Sequence, residues 1–189
     1  VPPFAAIRPE HFMPAFTEAM ARERAEVDAI AAAAEPPSFA NTVAALDAAG
    51  ELLDRVGAVF SNLDSAETNE ALQAIARELA PLQAAHRDAT LLNEQLFARV
   101  RAVWDARASL ALEPDQARLL ELTYKRFVRG GALLAPAAKE RMRDINAEMA
   151  KLTLCIAMNG ILVSGGNSFR PRNIRARVLD RYDFRPDAI

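Results

Sequence analysis

Histidine is the residue type that reveals most about hydrolytic metal chemistry, and this chain contains two, His11 and His86. Zinc hydrolases with an H-E-x-x-H helix bind the metal through two histidines one turn apart, and the first glutamate serves as general base for the bound water. Here the histidines lie far apart in the sequence, and neither has a second histidine four residues later. Glu10 precedes His11, but a lone Glu-His pair is common at a helix start. We therefore predict no catalytic, cofactor-binding or metal-binding residues, with His11 packed at a helix terminus and His86 hydrogen-bonded locally.

Other reactive side chains are interpreted in the same way. Cys155 lies beside the apolar stripe of the last predicted helix with no histidine near it in the sequence, which is typical of a buried, unreactive thiol. Gly130-Gly131 and Gly165-Gly166 lack the spacing of a phosphate-binding loop and are predicted to be turns. Charges of both signs alternate on the last helix and predict a solvated face, comprising Glu140, Asp144, Glu148, Lys139, Arg141, Arg143 and Lys151.

The C-terminal segment 164–189 differs from the rest of the chain because it is rich in Gly, Pro and Arg. Its arginines alternate with aromatic residues, an arrangement that can bind a nucleic-acid backbone and stack on bases. Asp180, Asp183 and Asp187 dilute the positive charge, and no nucleic-acid-binding fold accompanies the segment. We expect an irregular tail and do not expect nucleic acid as a partner.

Composition limits the protein class. Of the 189 residues, 51% are hydrophobic and 25% charged, and the formal net charge is -2, which together describe an ordinary soluble domain. No apolar run approaches the roughly 20 residues that a membrane-spanning helix needs. A single cysteine and an N-terminus without signal-peptide features favour a cytoplasmic protein that makes no membrane contact.

The elements that would hold these residues are predicted to be helices throughout. Apolar residues recur at steps of three and four in segments that begin near Pro9, Ser38, Thr68, Asn93, Pro114 and Pro136. Gly50 and Gly57 lie one heptad apart in the second segment, where a neighbouring helix is expected to approach closely, and Pro81 should kink or break the third. The fold class is therefore all-α, an up-and-down bundle of six or seven antiparallel helices over residues 1–163, followed by the tail.

Five stretches in order resemble a known family. They are FAAIRPEHFMPAF, SFANTVAALDAAGELLDRV with the following VFSNL, LNEQLFARV, YKRFVRGGALL and RMRDINAEMAKL. Together, over about Phe4 to Leu162, the chain resembles the N-terminal helical region of the thimet-oligopeptidase-like zinc metallopeptidases, most of all the bacterial peptidyl-dipeptidases (dipeptidyl carboxypeptidases) and oligopeptidase A. The resemblance implies a parent enzyme that uses zinc to hydrolyse short peptides, with this region forming one wall of a deep channel.

Around Asn159 the sequence departs from the family by an apparent one-residue shift at Gly160, and beyond Leu162 the Arg-rich tail stands in place of a catalytic portion. A truncated reading frame, a shifted frame or a genuine short paralogue would each produce this pattern. The chain alone is expected to be inactive. The alternative is a stand-alone helical protein that binds a partner or itself. Apolar surface left exposed could be covered by the tail 164–189 folding back or by a second chain. The apolar residues of the tail are few and separated by charges, so a two-fold homodimer is the expected assembly.

Overall fold

In the computed structural model, residues 2–67 and 69–162 are described, with side chains described as far as residue 152 except that of Glu67. Seven α-helices are found in this part of the chain: α1 Phe12–Ala32, α2 Ala45–Ala48, α3 Glu51–Glu67, α4 Glu70–Leu91, α5 Glu94–Asp105, α6 Pro114–Arg129 and α7 Pro136–Leu162. Short 3-10 turns are formed by Phe4–Ala6, Pro9–His11 and Arg107–Ser109, and a π-helical stretch, Phe39–Ala44, leads into α2. The described residues contain no strand, which confirms the all-α prediction. The antiparallel up-and-down order stays a prediction.

The chain forms two compact units, Val1–Lys151 and Leu152–Ile189. All packing described below is within the first unit. Of the second unit, the structure describes the end of α7. The predicted tail 164–189 with its arginines lies outside the described residues. The side chains of Cys155, Ile156 and Asn159 are not described either.

Helix starts follow from short polar side chains that accept orphan backbone N–H groups. Asn93 caps α5, since its side chain accepts from Leu96 N at 3.0 Å, as predicted. α4 is capped by Asn69, which accepts from Leu72 N at 3.0 Å, rather than by the predicted Thr68, which is not described. Pro114 and Pro136 are the first residues of α6 and α7, also as predicted.

The predicted helix from Ser38 onward is divided at Gly50. Ser38 and Asn41 form a capping box at its start, with Ser38 Oγ accepting from Asn41 N at 3.1 Å. Gly50 has a φ of 84°, a left-handed conformation that ends α2 and begins α3. A β-carbon added there would lie 2.9 Å from Glu23 Cδ, so α1 does approach at this position. At Gly57 nothing lies within 4 Å of an added β-carbon, so the expected close approach there is wrong.

Pro81 lies inside α4, and of the two predicted outcomes, a kink or a break, the break is wrong because α4 continues to Leu91. Proline removes one backbone hydrogen bond from the helix. Leu79 and Ala84, on either side of it, are both buried, and their packing holds the two halves of α4 in place.

Three apolar clusters form the core. The first, which we call the aromatic cluster, joins α1, α3 and α4 through Phe12, Phe16, Phe60, Leu72 and Leu79. The second joins the end of α1 to α5 and α6 and contains Val27, Leu91, Leu96, Phe97, Val100, Phe127 and Ala132. The third contains Val43, Val103 and Leu120. Helix α1 contributes to the first two clusters and connects them. Three residues in the apolar stripes of the predicted helices are exposed instead of buried, namely Leu82 and Met149 at 43% each and Leu152 at 39%.

Candidate functional site

The two histidines lie in different environments. His11 is exposed at the start of α1, where its Nδ1 accepts from Arg8 N at 3.2 Å. His86 is buried in α4, and its Nε2 lies 2.8 Å from Glu23 Oε2 on α1. The expected local hydrogen bond of His86 is therefore wrong: its partner is on another helix, because α1 and α4 pack side by side. Within residues 2–67 and 69–152 there is no group of three or more His, Cys, Asp or Glu side chains that could hold a metal ion.

The His86–Glu23 pair belongs to a small polar network. Glu23 lies against Gly50, and Glu26, one turn further along α1, accepts from Gly50 N at 2.8 Å. A carboxylate at this distance from Nε2 can accept a hydrogen bond from an N–H group on that nitrogen. The network joins α1, α4 and the turn between α2 and α3, so it holds helices together.

Arg99 has a similar structural role at the other end of α1. It is 7% exposed, and its Nη1 donates to Ala33 O at 2.8 Å and to Glu35 O at 3.0 Å, while Nη2 donates to Asn41 Oδ1 at 3.2 Å. These bonds fix the linker between α1 and α2. Sequence reasoning missed Arg99, although it lies within the apolar stripe of α5, between Leu96 and Val100, where a charged residue needs internal acceptors.

Among the described residues, side-chain bonds from Lys139 and Asn146 help to attach α7 to the rest of the first unit. Lys139 Nζ donates to Glu94 Oε1 at 2.7 Å, and Asn146 Nδ2 donates to Asp88 Oδ1 at 2.8 Å. The predicted solvated face is wrong at Lys139, which is 6% exposed because it reaches across to α5. The hydrogen bond from Lys139 lowers the pKa of Glu94, whereas burial raises the pKa of Asp88, opposed by the bond from Asn146.

Stacked aromatic rings join α5 to α6. Trp104 lies parallel to Tyr124 of α6 with ring centroids 4.6 Å apart, and Phe97 stacks between Tyr124 and Phe127 at 6.0 and 5.9 Å. The guanidinium of Arg107 lies 4.2 Å from the Trp104 ring centroid, a cation-π contact. Because the stack joins α5 to α6, it fixes the rotation of α5 about its own axis. The same face of α5 is therefore always turned outward.

An open groove of about 500 Å³ lies along that outward face of α5. Its apolar surface is provided by Phe97, Ala98 and Ala102 of α5 and by residues 132–134 of the turn before α7. Leu133 and Leu134 in this turn are 58% and 39% exposed. Four charged side chains complete the lining, namely Glu94, Arg101, Asp105 and Lys139. Apolar side chains with balanced charge around them are suited to contact with another protein surface.

The turn that carries these leucines is shaped by glycine, as predicted. Gly131 has a φ of 93°, and Gly131 N donates to Val128 O at 3.1 Å. A β-carbon on Gly130 would lie 2.9 Å from Leu91 Cδ1, so this glycine permits the turn to pass close to the end of α4. The turn therefore presents Leu133 and Leu134 at a fixed place beside α5.

Comparison with known proteins identifies peptidases. The chain is 43% identical over 152 residues to dipeptidyl carboxypeptidase of Escherichia coli and 40% identical over 151 residues to that of Salmonella typhimurium. It is 28% identical over 152 residues to oligopeptidase A of Salmonella typhimurium. Each match covers 80% of this chain and 22% of the relative, so the chain spans about a fifth of the length of these peptidases and corresponds to their N-terminal part. No family model matches the chain.

Among the described helices, none combines the length and apolar character required to cross a membrane. The motifs quoted above, from FAAIRPEHFMPAF to RMRDINAEMAKL, led to the same group of proteins as the comparison. The predicted resemblance to bacterial dipeptidyl carboxypeptidases and oligopeptidase A is thus confirmed over 152 residues.

Proposed function

We propose that this chain is the N-terminal, non-catalytic helical portion of a zinc-dependent metallopeptidase that hydrolyses short peptides, and that the parent enzyme is a peptidyl-dipeptidase. The observation that carries the proposal is the 43% identity over 152 residues to a protein named dipeptidyl carboxypeptidase. The 28% identity to oligopeptidase A is lower, which favours the release of C-terminal dipeptides as the parent activity.

The role proposed for this region is architectural. The sequence contains no H-E-x-x-H motif, and the described side chains contain no set of ligands for zinc, so the metal of the parent enzyme would be held elsewhere. The buried polar contacts that the structure does show, Glu23 with His86 and Arg99 with the linker carbonyls, connect helices to one another. Such contacts give the rigid support that a substrate channel needs. A cytoplasmic location is part of the proposal.

A chimera tests the architectural role. The 152 matched residues of Escherichia coli dipeptidyl carboxypeptidase would be exchanged for those of this chain, and release of dipeptides from a peptide C-terminus would be measured. We expect kcat/KM to stay within about tenfold of the parent value, which corresponds to a change of about 1.4 kcal/mol in the activation free energy. The reason is that the exchanged region supports the substrate channel and performs no chemistry. A second chimera with the matched residues of the Salmonella typhimurium enzyme controls for the junctions. An inactive chimera beside an active control would contradict the proposal.

The inactivity of the isolated chain is tested separately. The purified 189-residue protein, with and without added zinc, should leave a blocked tripeptide intact. Hydrolysis that a chelator abolishes would overturn this part of the proposal.

A second candidate function is a stand-alone helical interaction protein, and the open groove beside α5 favours it. Reading the gene downstream of this region separates the two. An in-frame H-E-x-x-H motif supports the peptidase portion, whereas a stop codon supports the interaction protein.

A further inference from the structure

The groove beside α5 has a charge pattern that is complementary to itself. Glu94 and Arg101 lie seven residues apart on α5, which is two helical turns, and both line the groove. Ala98 lies between them and is exposed. If a second α5 crosses antiparallel with the two-fold axis next to Ala98, Glu94 of each copy lies opposite Arg101 of the other. Two identical ion pairs then form across one isologous contact.

The Glu94 carboxylate can take part without giving up its bond to α7. Its Oε1 accepts from Lys139 Nζ, but the Glu94 side chain is 71% exposed, and a carboxylate has a second oxygen that accepts hydrogen bonds. Within the described part of the chain, Arg101 contacts Asp105 of the same helix, with its Nε 3.6 Å from Asp105 Oδ2, and its side chain is 59% exposed. An exposed pair within one helix contributes little to stability, so Arg101 is available to a partner.

The apolar part of the groove fits the same arrangement. The methyl group of Ala98 at the crossing point permits two helix axes to approach within about 8 Å, the low end of the usual range. The exposed Leu133 and Leu134 stand beside α5, where a crossing helix would cover them. Both sides of the contact therefore gain apolar burial next to their ion pairs, and charge selects the antiparallel register.

We propose that the α5 groove is a homodimer interface, occupied by the α5 helix of a second copy of this chain in antiparallel orientation. The partner is a second copy because Glu94 and Arg101 of the groove complement each other under two-fold symmetry. This inference does not rest on the proposed peptidase role. α5 has 12 residues and is therefore about 18 Å long, which makes the contact small and the dimer weak.

Sedimentation of the whole 189-residue chain tests the proposal. Between about 10 and 100 µM we expect a reversible monomer–dimer equilibrium that shifts towards monomer at high salt. Arg101→Glu places two carboxylates opposite each other at both ends of the contact and should weaken dimerisation at least about tenfold. Ala98→Arg fills the crossing point and should abolish it. Gln95→Arg, an exposed change on α5 outside the groove lining, is the matched control and should leave the dimer intact.

A mixing experiment tests the register itself. Arg101→Glu and Glu94→Lys chains should each be monomeric, but a mixture of the two should form a heterodimer, because both cross-contacts then join opposite charges. Thermal melts followed by circular dichroism show whether each variant is folded. If Glu94→Lys fails to fold, Arg101→Glu and Ala98→Arg still test whether α5 forms the dimer interface. A wild-type chain that stays monomeric at about 100 µM, or a dimer that neither variant weakens, would overturn the proposal. A monomer would leave the groove to a different occupant, such as the remainder of a longer chain.

Discussion

Two regions of the first unit, the aromatic cluster and α7, are stabilised by different kinds of contact. In the aromatic cluster, Phe60 of α3 meets Phe12 and Phe16 of α1 edge to face, with ring centroids 5.0 and 5.6 Å apart. In α7, by contrast, Lys139 is the one buried side chain among the described residues up to Lys151. Hydrogen bonds from Lys139 and Asn146 connect this helix to α5 and α4. Apolar burial contributes more free energy than exchange of hydrogen bonds with water. The aromatic cluster should therefore govern global stability, and α7 should be the weaker attachment.

The first prediction tests the stronger region. Phe16 is 1% exposed, and Phe16→Ala leaves a cavity between α1 and α3. We expect the free energy of unfolding to fall by about 3–5 kcal/mol, measured by urea denaturation. Met142→Ala, at a half-buried position on α7, is the matched change and should cost no more than about 1 kcal/mol. Equal losses for the two variants would show that the two regions do not differ as the structure indicates.

The second prediction concerns the buried cation Arg99, which joins α5 to the linker between α1 and α2. Arg99→Met keeps much of the side-chain volume but leaves Ala33 O, Glu35 O and Asn41 without their donor. We expect a loss of about 2 kcal/mol, because the cost of these unpaired acceptors exceeds the gain from removing a buried charge. Arg101→Met, at an exposed position on the same helix, should change stability by less than about 0.5 kcal/mol. Hydrogen exchange in residues 33–41 should accelerate in the Arg99 variant only.

The fold could be predicted from the sequence where it depends on neighbouring residues, and not where it depends on contacts between helices. The starts of α5, α6 and α7 were predictable because Asn93, Pro114 and Pro136 act on neighbouring backbone groups. The division at Gly50 was missed because the helical periodicity continues across it. The partners of His86 and Lys139 are on other helices, and periodicity within one helix carries no information about them. The groove depends in addition on how the turn at Gly131 sits beside α5.

The third prediction tests the α7 attachment at α5. Lys139→Met removes the bond to Glu94 but keeps an apolar chain in the buried site. We expect a loss of about 1 kcal/mol or less, since Glu94 is exposed and its carboxylate regains water. Exchange of the α7 amides should accelerate while that of α1 stays unchanged. A loss of cooperativity in the whole unit would mean that α7 supports the core more strongly than its burial indicates.

The last and smallest effect is a pH dependence in which the two carboxyl groups that accept hydrogen bonds from α7 respond in opposite directions. Burial raises the pKa of Asp88 above 3.8, so the folded state binds this proton more tightly than the unfolded chain, and the cost of burying the carboxylate is relieved as the pH falls through the raised pKa. The bond from Lys139 lowers the pKa of Glu94 below 4.5, so its contribution is present above that value and is lost as the pH falls further, through the lowered pKa.

Asp88→Asn keeps an acceptor for Asn146 and removes the first of these two effects. At pH 7 the variant should be as stable as the wild type or slightly more so. That advantage should shrink between pH 7 and pH 4. The reason is that Asp88 in the folded wild-type protein takes up its proton at a higher pH than in the unfolded chain, which relieves the cost of burying the carboxylate. Glu94→Gln should show the reverse, a small deficit at pH 7 that disappears in acid. Parallel urea titrations of the three proteins at several pH values measure both trends, and an Asp88→Asn advantage that grows as the pH falls would contradict the assignment of burial as the dominant influence on this carboxyl group.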